Sequence, residues 1–509
     1  MGGLYLGRIA SGRNLDLLPP SFWRSWELTR KGIHMTAHRA GPCAVISSFA
    51  LGCLMVWNAP ILCAQTTAMT ATTATAATTV VNTGNIVNIV GGVMVSVDGV
   101  LSRQDERQRA DVLAKRRQAM QAVAGDLNQP TKLRMVSLKG LEKAIANSVA
   151  AGKPLPDEIR YLAGLTRVQY VFVYPELKDV VLAGPAEGWK LNDQGEVVGS
   201  TSGRPVVQLD DLLIGLRYAN EARNGGISAS IDPTPGGLQA FRILNDQLRA
   251  QGAHRQDQMA SIGQAMEQAL GKQTITIKGV PTSCRFANVL VAADFQMKRI
   301  GMNFEPSHVK GLPSYMELIP ADAKVIVNML PRWWMAPDYD PLATDGKGLA
   351  WELKGQGVKC VAEEDLFNAN GQREKSMKAN PFSQKWADLM TKHYDELSER
   401  YPVFGDLRNC MDLAVVGALI VKEGLLDKAS LKLPYLTDPH SIATSAYNPP
   451  SQVDSKASFV RKGNNDLFSV SGGVDLQPWA VIEKTATSDA VDPVRDGAAK
   501  ARGDRWWWN

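Results

Sequence analysis

The sequence lacks the short signatures that most often announce a chemistry. No Gly-x-Ser-x-Gly element supports a serine nucleophile, and neither Gly-x-x-x-x-Gly-Lys nor Gly-x-Gly-x-x-Gly is present to cradle phosphate. Histidine is scarce. Beyond residue 64 only His254, His308, His393 and His440 occur, none within helical or hairpin reach of another, which removes the paired ligands a zinc site needs. No metal and no cofactor is expected. Cysteine is scarce too: Cys43, Cys53 and Cys63 fall in the first 64 residues, leaving Cys284, Cys360 and Cys410. An odd count allows at most one internal disulfide, with Cys360 and Cys410 as the candidate pair and three buried thiols as the alternative. The chain also lacks charge of one sign. Its 56 Lys and Arg face 51 Asp and Glu, and beyond residue 64 the numbers are 50 and 49. Bulk charge therefore gives no argument for a nucleic-acid or anionic-membrane partner.

What is present begins with an apolar run over residues 41–64. Basic Lys31, His38 and Arg39 precede it, and the small Ala64 stands before polar Gln65. This pattern reads as a secretory signal peptide over 35–64, opening at Met35, with 1–34 as a mis-assigned upstream extension. An uncleaved anchor is the alternative. Asn58, Pro60 and several glycine and serine positions weigh against it, because a spanning helix needs about 20 predominantly apolar residues. The expected location is the periplasm or the outside, with membrane contact only through an uncut leader.

Residues 65–84 are rich in Thr and Ala and read as a linker. A strand and a charged helix, whose basic residues suit a solvated face, are expected over 85–129. The globular body is expected over 130–435. Helical spacing recurs over 138–151, 210–223, 238–249, 257–270, 287–300, 384–400 and 413–424, and strand patterns over 168–174, 179–183, 227–231, 274–280 and 325–330. Helices and strands mix without a strict βαβ repeat, so the expected class is α+β, a mixed sheet packed with several helices. Residues 436–509 are polar, with Tyr447-Asn448-Pro449-Pro450 and a closing Arg505-Trp506-Trp507-Trp508, and read as a disordered tail.

The stretches Ile227-Ser228-Ala229-Ser230-Ile231-Asp232-Pro233-Thr234-Pro235-Gly236-Gly237-Leu238 and Met297-Lys298-Arg299-Ile300-Gly301-Met302 resemble an uncharacterised exported protein family of planctomycete bacteria. So do Pro331-Arg332-Trp333-Trp334 and Gly355-Gln356-Gly357-Val358-Lys359-Cys360-Val361-Ala362-Glu363. The resemblance extends over about 168–426. That family is known as a domain of unknown function, so the resemblance implies lineage and export and supplies no catalytic residue.

Two clusters could carry chemistry. Glu363, Glu364 and Asp365 follow an apolar strand, where crowded carboxylates at a cleft mouth could serve as acid and base, with His308 as a further candidate. A helix start, where acids complement the dipole, is the other reading. In the segment 331–340, Trp333, Trp334 and Tyr339, with Arg332 nearby, offer aromatic faces for stacking on a sugar or capping a peptide, or else form a buried aromatic corner. Asp338, Asp340 and Asp345 bracket a loop without EF-hand spacing. The expectation is a non-enzymatic envelope or secreted protein that binds a protein partner or a cell-envelope polymer. The alternative is a hydrolase of envelope glycans or peptides that uses the acidic cluster.

Overall fold

The computed structural model describes residues 90–123, 125–252, 256–320, 329–367, 373–375, 381–457 and 471–509. The upstream extension, the signal peptide, the Thr/Ala-rich linker and His254 lie outside them.

Two large sheets organise the molecule. The first has nine strands in the order Val93–Val95, Val100–Arg103, Gln452–Asp454, Lys272–Lys278, Ile227–Asp232, Ser471–Leu476, Met329–Asp338, Gly357–Phe367 and Arg373–Lys375. The second has seven, in the order Thr485–Thr487, Leu342–Thr344, Ala350–Glu352, Tyr170–Tyr174, Asp179–Ala186, Thr131–Ser137 and Trp507–Trp508. Most neighbours run antiparallel and a few parallel, so the sheets are mixed and the class is α+β.

Local sequence explains many of the elements. Ile227, Ala229 and Ile231 are buried while Ser228, Ser230 and Asp232 are half-buried, the alternation of a strand packed on one face. The helix Leu138–Ala150 starts where the Ser137 hydroxyl accepts the Gly140 amide at 2.8 Å, and Gly152 with φ 60 closes it. In Pro235–Ala250 the Thr234 hydroxyl accepts the Gly237 amide and Pro235 occupies the first turn, so the Gly-Gly pair begins a helix. The basic helix Glu106–Ala119 buries only Val112, as a solvated helix would.

The helix Pro402–Lys422 runs between two hydrophobic cores and is buried from Val403 to Ile420. Phe404, Leu407, Cys410, Met411 and Ala414 belong to the core under the nine-stranded sheet. Leu413, Val415, Val416, Leu419 and Ile420 belong to the core under the seven-stranded one. It crosses the helix Leu209–Arg217 with backbones nearly touching. A Cβ added at Gly417 would fall 2.0 Å from the Gly215 carbonyl oxygen, so glycine is what permits this approach.

The region expected to be a disordered tail is built into the fold wherever it is described. Ser471–Leu476 lies inside the nine-stranded sheet, parallel to Met329–Asp338 and antiparallel to Ile227–Asp232. Its glycines look like linker residues in sequence. Here Gly472, with φ 119, packs against the Trp333 backbone, where a Cβ would meet the carbonyl oxygen at 2.0 Å. The closing tryptophans are anchored as well. Trp507 and Trp508 pair with Val136 and Met135, and the Trp508 indole donates to the Ala498 carbonyl at 2.8 Å. Arg134 and Arg505 lie over the Trp507 ring at 5.3 and 5.0 Å, and Arg502 over Trp508 at 5.0 Å. Trp508→Ala is expected to cost about 3–5 kcal/mol of stability, as for other buried Trp truncations, measured by urea unfolding. An unchanged midpoint would mean that this segment does not hold the sheet.

Candidate functional site

The residues singled out in the sequence are dispersed by the fold. Glu363, Glu364 and Asp365 stand neither at a cleft-mouth strand end nor at a helix start. They continue the strand Gly357–Phe367, in register with Arg332, Pro331 and Leu330. Ten paired positions with Met329–Asp338 hold this acidic stretch extended, so tertiary pairing overrides the poor strand preference of acidic residues. The side chains of Glu364 and Asp365 lie outside the described ones; Glu363 is half-buried.

Trp333 is fully buried, as the aromatic-corner reading had it. Its indole donates to the Ser383 hydroxyl at 3.0 Å, its ring centroid is 4.1 Å from that of Trp386, and Tyr315 meets it edge-on at 5.2 Å. Trp334 occupies the next position of the strand, half-buried, with the Arg332 guanidinium 4.9 Å above its ring. Tyr339 donates its hydroxyl to Asp412 Oδ1 at 2.6 Å. The four residues expected to share a ligand thus split between core, strand face and a buried ion pair. Asp338 lies 3.7 Å from Lys359, and Asp345 accepts the amides of Lys347 and Leu349, a turn-closing role. Among the described residues no group of three His, Cys, Asp or Glu is placed to hold a metal ion.

Cys360 and Cys410 are not joined: all three described cysteines are free and buried. The Cys360 sulfur rests 3.9 Å from the Met297 sulfur, on the strand Gly357–Phe367, while Cys410 sits on the 402–422 helix. Burial pushes the Cys284 thiol up to about 12 and raises Cys360 and Cys410 as well, which suits packing rather than nucleophilic attack.

His308 opens onto a cavity. A cleft of about 350 Å³ is lined by Asn303, Glu305, His308, Lys310, Leu312 and Glu317, together with the intervening loop. That volume falls in the range of small-ligand sites. Glu363 is not among the lining residues of this cleft.

The loop is pinned from several sides. Tyr401 donates its hydroxyl to the Pro306 carbonyl at 2.6 Å, and the Ser307 hydroxyl donates to the Leu312 carbonyl at 2.6 Å. The Trp386 indole donates to the Pro313 carbonyl at 3.1 Å. Glu305 is gripped by Arg103 and by Arg299, the latter at 3.2 Å, and Ser314 with Glu317 forms a reciprocal helix cap. Within this frame Asn303 (φ 59) is the left-handed residue that closes the helix Arg285–Gly301, and His308 (φ 54) holds a left-handed conformation uncommon outside glycine. His308 is exposed and lies against Tyr401, with ring centroids 6.3 Å apart. No spacing in the sequence marks this cleft, because Arg103, Arg299, Trp386 and Tyr401 reach the loop from distant segments.

A second set of polar groups, also invisible in the sequence, lies along the 402–422 helix. Arg167 makes a bidentate pair with Asp412, both contacts at 2.9 Å, and Tyr339 adds its hydroxyl to the same carboxylate. Arg285 bridges Asp211 and Asp406, and Arg408 pairs with Asp395. The available clue was charge placed among apolar neighbours: Asp406, Arg408 and Asp412 interrupt a largely apolar run. Asp412→Ala is expected to cost about 3–5 kcal/mol, because it strands the Arg167 guanidinium inside the protein. Urea unfolding reads that loss. A change below about 1 kcal/mol would place the pair among weak surface contacts.

Residues 229–315 match a protein family described as "Protein of unknown function (DUF1598)". The match is narrower than the 168–426 stretch of the sequence resemblance. It includes most of the Ile227–Leu238 motif and all of Met297–Met302, and it ends before Pro331. It also takes in the cleft loop from Asn303 to Ser314. No curated protein and no solved structure matches the chain. Among the described residues no helix is long and apolar enough to cross a membrane.

Proposed function

We propose that this chain is an exported, non-enzymatic binding protein of the cell envelope, of planctomycete type, and that the cleft around His308 receives its ligand. The observation that carries the reading is a rigidly held, ligand-sized cleft that presents an exposed imidazole, an exposed ammonium at Lys310 and an amide at Asn303. Such groups fix the orientation of a polar ligand. The cleft loop lies within the family-matched segment, which ties the site to the part of the chain shared with relatives. Export rests on the signal pattern ending at Ala64 and on the resemblance to an exported family. The hydrolase alternative finds less support, since its acids lie along a paired strand and Trp333 is committed to the core.

Two measurements test this. Amino-terminal sequencing of the chain recovered from its producing cells is expected to begin at Gln65; a chain that retains residues 35–64 would count against cleavage and release. The purified protein is expected to be retained on peptidoglycan or envelope polysaccharide without releasing products. A His308→Ala, Lys310→Ala variant should weaken retention by about tenfold or more at an unchanged unfolding midpoint, the size of losing hydrogen bonds from charged groups. Product release that disappears in Glu363→Gln would overturn the binding reading in favour of hydrolysis.

A further inference from the structure

Where the helices Leu209–Arg217, Arg285–Gly301 and Pro402–Lys422 meet, the side chains do not balance in charge. Arg285 contacts Asp211 from the first helix and Asp406 from the third, the latter at 2.8 Å. Glu196, 8 % exposed, is electrostatically coupled to Asp406, and Arg116 to both. Three buried carboxylates therefore face two guanidiniums, one of which, Arg116, also donates to the Gly195 carbonyl. Asp210, half-buried, adds negative charge beside Asp211. Burial raises the thiols of Cys284 and Cys410 and the phenols of Tyr447 and Tyr161, so these neighbours add no charge near pH 7, while Arg217 at the end of the Leu209–Arg217 helix interacts with Asp210. Asp211 is 1 % exposed, and its second oxygen, Oδ1, has no hydrogen-bond partner, an expensive arrangement for a fully ionised carboxylate.

We propose that the Asp211–Arg285–Asp406 contact is a proton-dependent clamp: closed, it holds one proton on its carboxylates, and it loosens the three-helix joint when that proton leaves. The geometry carries this, because one guanidinium between two buried carboxylates fully compensates one of them. Electrostatics agree in direction. Burial lifts the Asp211 carboxyl to about 7 against the pull of Arg285, with Asp406 and Asp210 reinforcing the lift. Asp406 and Glu196 are raised as well, burial again leading. A carboxyl raised on folding binds more protons in the native state, so its contribution to stability is fully present below the unfolded value of about 4 and is lost as pH rises from there through about 7. The joint ties Ile214 and Met411 of one core to Leu213 and Leu413 of the other, so both cores respond to it.

The test is urea unfolding of the whole chain at pH 5.5, 7 and 8, comparing wild type with Asp211→Asn, which keeps an acceptor for Arg285 but cannot ionise. Between pH 5.5 and 8 the wild-type folding constant is expected to fall by about tenfold relative to that of the variant. Parallel profiles would overturn the proposal. Should Asp211→Asn fail to fold, hydrogen exchange of the wild type decides. Amides of Leu212–Leu216 and Asn409–Leu413 should open more often at pH 8 than the intrinsic pH dependence of exchange explains; exchange that follows the intrinsic dependence alone would overturn it equally.

Discussion

The 402–422 helix is buried on all sides, and yet it carries Asp406, Arg408 and Asp412. A charge taken out of water costs several kcal/mol unless a well-oriented partner meets it, so each of these residues dictates what must lie opposite. Asp412 calls for the Arg167 fork and the Tyr339 hydroxyl, Asp406 for Arg285, and Arg408 for Asp395. These partners come from both sheet systems and from the helix that starts at Arg285. The ion pairs are thus directional where the apolar cores are not, and they fix how the two cores sit on their shared helix. Gly215 and Gly417 set the depth of that contact by letting two backbones touch.

Around this axis the chain passes repeatedly between sheets. The strand Met329–Asp338 lies inside the nine-stranded sheet, between Ser471–Leu476 and Gly357–Phe367, and the chain continues directly to Leu342–Thr344 in the seven-stranded one. Residues near the C-terminal end make the same passage, contributing Ser471–Leu476 to the first sheet and then Thr485–Thr487 and Trp507–Trp508 to the second. Each sheet therefore needs segments hundreds of residues apart in sequence. Such long-range pairing favours slow, late completion of the sheets over local assembly.

The His308 cleft sits at the edge of this framework, with Val309 and Leu312 of its lining anchored in the core under the nine-stranded sheet. Its loop follows the helix Arg285–Gly301, whose apolar face is packed against the nine-stranded sheet, and its carbonyls are taken by Tyr401, Trp386 and Ser307. Backbone groups satisfied in this way leave the side chains of Asn303, His308 and Lys310 uncommitted to holding the loop. A rigid loop with free polar side chains is a binding surface that loses little entropy on association.

The helix at Leu138–Ala150 was legible because its cap, apolar spacing and terminal glycine all act within a few residues. Strands such as Tyr170–Tyr174 and Ile227–Asp232 were legible for the same local reason. The acidic strand at Glu363–Asp365 was not, since only its partner strand holds it extended, and Ser471–Leu476 was not, since its glycines serve a neighbour they cannot announce. Of the site, His308 was visible as a rare titratable residue, while its cleft and the buried ion pairs were not. By itself the sequence determined the α+β class, most helix and strand positions in the body and the near-balance of charge. The tertiary structure decided the order of strands, the burial of Trp333, the place of the closing tryptophans and the pairing of Asp211, Asp406 and Asp412. The physical reason is range: caps, turns and periodicity act over a few residues, whereas strand partners and buried counter-charges are chosen only when distant segments meet.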